Sequence, residues 1–226
     1  MFRGEDRLLN KSKGNMYPWV THTWNVVKGK CPHDCSYCYM KRYPQLELHF
    51  DEKELKTNLG TGNTIFVGSS CDMCANDIPT EQIAQILQHC RSFDNTYLFQ
   101  TKNPARFTMW RTDLFPFPNK TMLGATIETD REYCVSKSPS PLQRMEAMAQ
   151  VYLPKMISLE PIMDFEPVML IHWIARIKPE FVSIGADSGN HHLPEPSGDK
   201  VKALIEALKE ITEVKIKDNL SRLLTQ

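Results

Sequence analysis

The feature that most constrains this chain is an alternation of short apolar runs with amphipathic stretches. Residues 64–68 (TIFVG), 96–100 (TYLFQ), 122–127 (MLGATI), 155–159 (KMISL) and 181–185 (FVSIG) are short and mostly apolar or β-branched. Such runs predict strands buried on both faces. Helical patterns fall between them. After Pro79-Thr80, the residues Ile83, Ile86, Leu87 and Cys90 recur at i, i+3, i+4 and i+7 on one face. Asn103-Pro104 has the cap-then-proline signature of a helix start. Residues 141–150 predict a helix with Leu142, Met145 and Met148 or Ala149 inward. Residues 167–177 predict another, and Val201, Leu204, Ile205 and Leu208 mark the last. The alternating, β-branched residues 21–27 predict a first strand, and 214–217 a short closing one. Residues 39–50 predict a helix interrupted near Pro44.

Strand followed by helix, about six times over, calls for a parallel sheet with helices outside. The 226 residues fall short of the roughly 250 of a closed eight-fold barrel. The expected fold is therefore α/β, a partial (β/α)6-type TIM barrel with parallel strands, with a flat doubly wound sheet as the alternative. Residues 1–20 read as an N-terminal extension and 21–226 as the barrel domain.

Between the first predicted strand and the first long helix stands Cys31-Pro32-His33-Asp34-Cys35-Ser36-Tyr37-Cys38. Cysteines spaced C-x3-C-x2-C on one short loop can give three thiolates to a cubane iron–sulfur cluster, which ordinarily takes four. The fourth iron would be left open, and an open metal position is where chemistry happens. Two other readings compete. A zinc site would need a fourth Cys or His, for which His33, His22 and His49 are the nearest candidates. Buried structural cysteines are the other reading, though three seldom stand in one eight-residue loop among Pro, His, Asp and Ser. A disulfide leaves one of the three unpaired, and the seven cysteines of the chain are an odd number.

Composition sets broad limits. Hydrophobic residues make up 41% and charged ones 24%, as in ordinary globular domains. No apolar run approaches the length of a membrane span, and the first residues lack the apolar core of a signal peptide. Reduced thiols and an oxygen-sensitive cluster point to a reducing, cytoplasmic setting. The 27 basic and 27 acidic residues balance, which weighs against an obligatory duplex binder. Residues 1–42 are nevertheless basic, with eight Lys or Arg against three acids. Lys28, Lys30, Lys41 and Arg42 either offset the charge of a thiolate-bound cluster or form a phosphate-contacting rim.

In parallel α/β folds the site gathers where strands hand over to the following loops. Those positions carry the cysteine loop, Gly68-Ser69-Ser70-Cys71-Asp72-Met73-Cys74, Gln100-Thr101-Lys102, Thr126 with Glu128 and Asp130, Ser158 with Glu160, Asp187-Ser188 with Asn190, and Lys217-Asp218-Asn219. The pair Cys71 and Cys74 could return a hydrogen atom to a product radical, bind a second metal, or pack. His191-His192 in its Pro-rich loop reads as solvated rather than metal-binding.

The cysteine spacing, with Tyr37 before and Tyr39 after the third cysteine, resembles the signature of the radical S-adenosylmethionine (SAM) superfamily. Further stretches are similar to a small, phage-associated, largely uncharacterised group within it. These are Thr23-Trp24-Asn25, residues 65–79, Gln100-Thr101-Lys102-Asn103-Pro104, Leu123-Gly124 to Glu128, Ile157-Ser158-Leu159-Glu160-Pro161 and Val182 to Gly189, together covering residues 20–190. The resemblance implies that Cys31, Cys35 and Cys38 ligate a [4Fe–4S] cluster whose open iron binds SAM. It also implies that Tyr37 lies near the adenine, that Gly68, Ser69 and Ser70 hold the SAM amino group, and that Thr126 and Glu128 bind ribose or carboxylate. Asp187 joins this cofactor-binding set. Glu160 is a further SAM or substrate contact, placed with Cys71 and Cys74 among the catalytic candidates. The implied activity is reductive cleavage of SAM to a 5′-deoxyadenosyl radical that abstracts hydrogen from an unidentified substrate. A flavodoxin- or ferredoxin-type donor would supply the electron. The implied substrate is a nucleotide, nucleic acid or peptide, with nucleic-acid modification or lesion repair favoured. The rival readings are a non-catalytic iron–sulfur or zinc scaffold and a SAM-dependent methyl donor.

Overall fold

The computed structural model describes residues 9–109 and 116–225; the first eight residues of the expected N-terminal extension lie outside them. In chain order the elements are β1 (Asn10–Lys11), β2 (His22–Trp24), β3 (Val27–Lys28), β4 (His49–Phe50), β5 (Thr64–Val67), α1 (Thr80–Arg91), β6 (Thr96–Thr101), α2 (Ala105–Met109), β7 (Thr121–Thr126), α3 (Pro141–Ala149), β8 (Lys155–Leu159), α4 (Pro167–Ile177), β9 (Phe181–Ile184), α5 (Gly198–Lys209), β10 (Glu213–Ile216) and α6 (Ser221–Leu224). Eight strands form one sheet in the order β1-β2-β5-β6-β7-β8-β9-β10. All neighbours from β2 onward pair in parallel, and only β1 runs antiparallel at the edge.

Because sequential strands sit side by side, every right-handed crossover falls on the same face. That order makes a single-wound, open barrel and excludes the doubly wound sheet, which needs a reversal of strand order. The closing strand expected near residue 214 forms as β10, so seven parallel strands are present. The helices cover the outer face with their apolar stripes. Ile83, Ile86, Leu87 and Cys90 of α1, Leu170, Trp173, Ile174 and Ile177 of α4, and Val201, Leu204, Ile205 and Leu208 of α5 are buried.

Three local expectations change. Residues 39–50 make no α-helix: one 3-10 turn, Tyr39–Arg42, gives way to extended chain. Pro44 supplies no N–H and disfavours helical dihedrals at Tyr43, and Tyr43 is extended. The first strand ends at Trp24, and Val27 belongs instead to a separate two-stranded hairpin, β3–β4. In α3, Leu142 faces solvent at 48% exposure. Arg144, two residues on and about 200° around the helix, takes the inward place, with Met145 and Met148 beside it.

The inner face of the sheet is layered. Phe66, Leu98, Met122, Met156 and Phe181 lie on it, with Gln100, Thr126, Ser158 and Ser183 nearer the C-terminal strand ends. The N-terminal segment fills this trough. Met16, Tyr17, Trp19 and Val20 pack on the apolar layer, and the Tyr17 hydroxyl donates to Gln100 Oε1 at 2.9 Å and Ser158 Oγ at 3.1 Å. Residues 16–20 thus supply the filling that a closed barrel draws from its own strands. Among the described residues no helix is long and apolar enough to cross a membrane.

Candidate functional site

The cysteine loop leaves the C-terminal end of β2 and returns through the β3–β4 hairpin. Its base is cinched at Gly29, whose φ of +94° and close approach to the Glu47 carbonyl leave no room for a Cβ. Lys30 N–H donates to the Leu46 carbonyl at 2.9 Å. Lys28 bridges Asp51 and Glu54 at 2.8 and 2.7 Å, and Lys41 pairs with Asp34 at 2.9 Å. Two of the four expected rim cations are therefore already matched by carboxylates. Lys30 and Arg42 make no ion pair among the described residues.

The loop is also fastened to the sheet. Ser36 N–H donates to Val135 O and Lys137 N–H to His33 O, at 2.8 and 2.7 Å. His33, considered above as a zinc ligand, points its Nε2 at Asp72 Oδ2, 2.9 Å away. Asp72 also accepts from the Thr101 hydroxyl and the backbone N–H groups of Lys102 and Cys74, at 2.8 to 2.9 Å. Burial pushes the Asp72 carboxyl up, but His33 and the backbone donors outweigh it and hold it below its usual range. One carboxylate thus joins the cysteine loop to the ends of β5 and β6.

The three loop thiols are free, with Cys35 buried and Cys31 and Cys38 half-buried. Burial pushes Cys35 up to about 11. The thiol of Cys71 donates to Cys31 and holds it low. Cys71 and Cys31 therefore stand side by side, whereas Cys74 is buried against Thr101 and Arg106. Among the described residues no three Cys, His, Asp or Glu groups converge tightly enough for one ion. A single zinc needs its sulfurs about 2.3 Å from one centre. Ligands of a cubane each take a different iron and so stand further apart than the ligands of a single ion.

Beside the loop lies a buried charge cluster. Glu128, 0% exposed, follows β7. Its Oε1 accepts from the Tyr37 hydroxyl and from Lys102 Nζ, and its Oε2 accepts from Arg144 Nη1 at 2.6 Å. Arg144 also donates to the Thr126 carbonyl at 2.7 Å, and Lys102 Nζ lies 5.0 Å from the Tyr37 ring centroid. Burial raises the Glu128 carboxyl, yet Lys102 and Arg144 bring it down to about 2. Burial first, then Glu128, pushes the Tyr37 phenol well above its ordinary value. Lys102 stood among the strand-end positions without an assigned role, and Arg144 escaped the sequence reading altogether. The available signal was an arginine inside an apolar helical stripe, which needs a buried acid.

The other expected contacts divide between two places. Near the loop, Gly68 N–H bonds Trp24 O, and Asn25 Oδ1 accepts from Ser69 Oγ and Ser70 N–H at 3.3 and 2.9 Å. Thr126 accepts from Gln100 Nε2 at 3.0 Å. Glu160 and Asp187 sit instead at the β8–β10 end. Glu160 meets Lys217 Nζ at 2.9 Å and Asn15 Nδ2 at 3.1 Å. Asp187 accepts from the N–H groups of Gly189 and His191 and pairs with His191 Nδ1, 2.6 Å away. The carboxylate of Asp187 is thus committed to its own loop, and His191 to it.

Residues 15–198 match a family model described as Protein of unknown function (DUF5131). The chain belongs to this family. No curated protein matches it. Among solved structures it is similar to a spore photoproduct lyase mutant with dinucleoside spore photoproduct, with a TM-score of 0.59 and 13% identity over 90% of this chain and 66% of that one. A spore photoproduct lyase mutant with bound AdoMet and dinucleoside spore photoproduct gives 0.53 and 12%, over 88% of this chain and 64% of that one. SuiB of Streptococcus suis bound to the precursor peptide SuiA gives 0.55 and 10%, over 86% and 48%. At these identities the likeness speaks for the fold, and the chain spans less than two thirds of those proteins' length.

Proposed function

We propose that this DUF5131 chain is a radical SAM enzyme whose Cys31, Cys35 and Cys38 hold a [4Fe–4S] cluster. The observation that carries the reading is the three-cysteine loop at the C-terminal end of β2, in a fold it shares with a lyase solved with bound AdoMet. Such a cluster, when bound with SAM, supplies the electron that cleaves it and yields a hydrogen-abstracting 5′-deoxyadenosyl radical. The chain's own groups have defined tasks. Asp72 and His33 fix the loop against β5 and β6. Tyr37, held by Glu128 and Lys102, presents its ring beside the loop as one wall for the SAM adenine. With the N–H groups of Gly68 and Ser70 spent on Trp24 and Asn25, the segment Gly68-Ser69-Ser70 would meet the amino-acid end mainly through its carbonyl oxygens. Cys71, beside Cys31, is placed to donate a hydrogen atom, while Cys74, equally buried but set against Thr101, serves packing.

A nucleotide or nucleic-acid base is the favoured substrate, supported by the resemblance to a phage-associated group and by the dinucleoside-bound neighbour. An external flavodoxin- or ferredoxin-type protein would deliver the electron. Anaerobic reconstitution tests the reading: about four irons per chain, and 5′-deoxyadenosine released from SAM on reduction with dithionite. Iron without nucleoside release would indicate a scaffold, and S-adenosylhomocysteine as sole product a methyl donor.

A further inference from the structure

The arm that leads out of the cysteine loop, residues 39–46, turns apolar side chains outward. Tyr39, Tyr43 and Leu46 are 49, 60 and 70% exposed, three of the ten large apolar side chains exposed among the described residues. Single exposed apolar residues are ordinary, but three within eight consecutive positions call for an explanation. The arm is held in shape. Gln45 Nε2 donates to the Met40 and Tyr43 carbonyls at 2.6 and 3.1 Å, and the Tyr39 hydroxyl donates to Ser69 O at 3.1 Å. Burial first, then nearby Cys38 and Tyr43, push the Tyr39 phenol up to about 12. The backbone bond from Lys30 to Leu46 sets Lys30 beside the end of the arm.

Lys30 and Arg42 are exposed and carry no ion pair among the described residues. Close by, Asp34 is shared between Lys41 at 2.9 Å and Lys137 at 3.2 Å. The rim thus sets Lys30, Lys41, Arg42 and Lys137 against Asp34 and the exposed Glu47, a local positive excess in a chain whose charges cancel. Standing in water, Lys30 and Arg42 are screened from anything held behind the loop, and they act on what approaches from outside. A phosphate would leave the apolar side chains unused, whereas tyrosine and arginine are residue types that protein interfaces enrich. Tyr37 is turned inward onto Glu128, while Tyr39 and Tyr43 are turned out, so a protein seated on the arm meets the loop beside Cys38. We propose that this arm docks an acidic one-electron carrier protein, an inference that rests on the radical SAM reading and gives its electron donor a surface. One electron leaves the carrier and enters the oxidised cluster, and no bond is made or broken. Such an encounter needs only a small interface, below about 1,200 Å².

An acidic flavodoxin is the probe, titrated calorimetrically into the full chain and then supplied, already reduced, to the reconstituted enzyme. It should bind, and less tightly as ionic strength rises from about 0.01 to about 0.15 M and the Debye length falls from roughly 30 to roughly 8 Å. The double variant Lys30→Glu/Arg42→Glu should weaken binding about tenfold or more, the scale of electrostatic steering, and Leu46→Ser should weaken it less. Both variants change exposed side chains and should keep the circular dichroism of the parent. The double variant should slow flavodoxin-driven release of 5′-deoxyadenosine and leave dithionite-driven release unchanged, because a small reductant needs no dock. Lys209→Glu on α5 reverses a charge elsewhere and should leave binding as in the parent. The inference is overturned if flavodoxin does not bind, if the double variant binds like the parent, or if Lys209→Glu weakens binding as much. It is also overturned if the double variant loses binding of a short DNA duplex instead of flavodoxin. Dithionite-driven release without flavodoxin binding would sink the dock alone. Charge-dependent flavodoxin binding with no release under dithionite would sink the enzymatic reading alone.

Discussion

Around the cysteine loop, side chains are locked together by charge: Asp72 to His33, and Glu128 to Lys102 and Arg144. At the β8–β10 end the charged pairs Glu160–Lys217, Asp187–His191 and Arg222–Glu195 are less deeply buried and are linked by neutral amides and a hydroxyl. The difference follows from the task proposed for the cysteine loop. A buried charge cluster holds a metal loop in one position, since low-dielectric ion pairs resist rearrangement.

The largest expected effect falls at the cysteine loop. Cys35→Ala should abolish iron loading and release of 5′-deoxyadenosine, read by iron analysis and chromatography, while circular dichroism stays that of the parent. Next is Glu128→Ala, which leaves Lys102 and Arg144 buried without their anion. It should cost about 3–5 kcal/mol in urea denaturation.

The pH dependence sharpens the same point. Glu128 titrates near 2 when folded, below its unfolded value of about 4.3. Its contribution is therefore complete above the unfolded value and is lost as pH falls from about 4.3 to about 2. The parent should lose about 3 kcal/mol over that window, and Glu128→Gln should lack this component when the two acid denaturation curves are subtracted.

At the other end, Lys217→Ala removes contacts to Glu160 and to the Asn15 carbonyl. It should cost about 1–3 kcal/mol and speed limited proteolysis near residues 14–18. The smallest effect belongs to neither end. Lys209→Ala breaks an exposed pair with Glu206 on α5 and should change stability by less than about 0.5 kcal/mol. An equal response to Glu128→Ala and Lys217→Ala would erase the contrast.

Several features were legible without coordinates because their causes are local. The apolar runs became β5 to β9, and the stripe Ile83, Ile86, Leu87, Cys90 turned inward as its spacing demands. Leu142 was misplaced because periodicity marks a face but not its partner. The acid buried beneath α3 drew Arg144 inward instead. Tyr17 and Asn15 carried no readable pattern, and their roles appear only when distant strands assemble.

The sequence alone determined a three-cysteine loop after the first parallel strand and a right-handed strand–helix alternation. Both depend on bonds and dihedrals within a few residues. Tertiary structure decided which charges meet and which polar atoms stay unmet. Tyr37 reaches Glu128 across 91 positions and Asn15 reaches Ser188 across 173. Contacts at such separations are set by how the sheet curls and what fills its trough, and no local propensity encodes them.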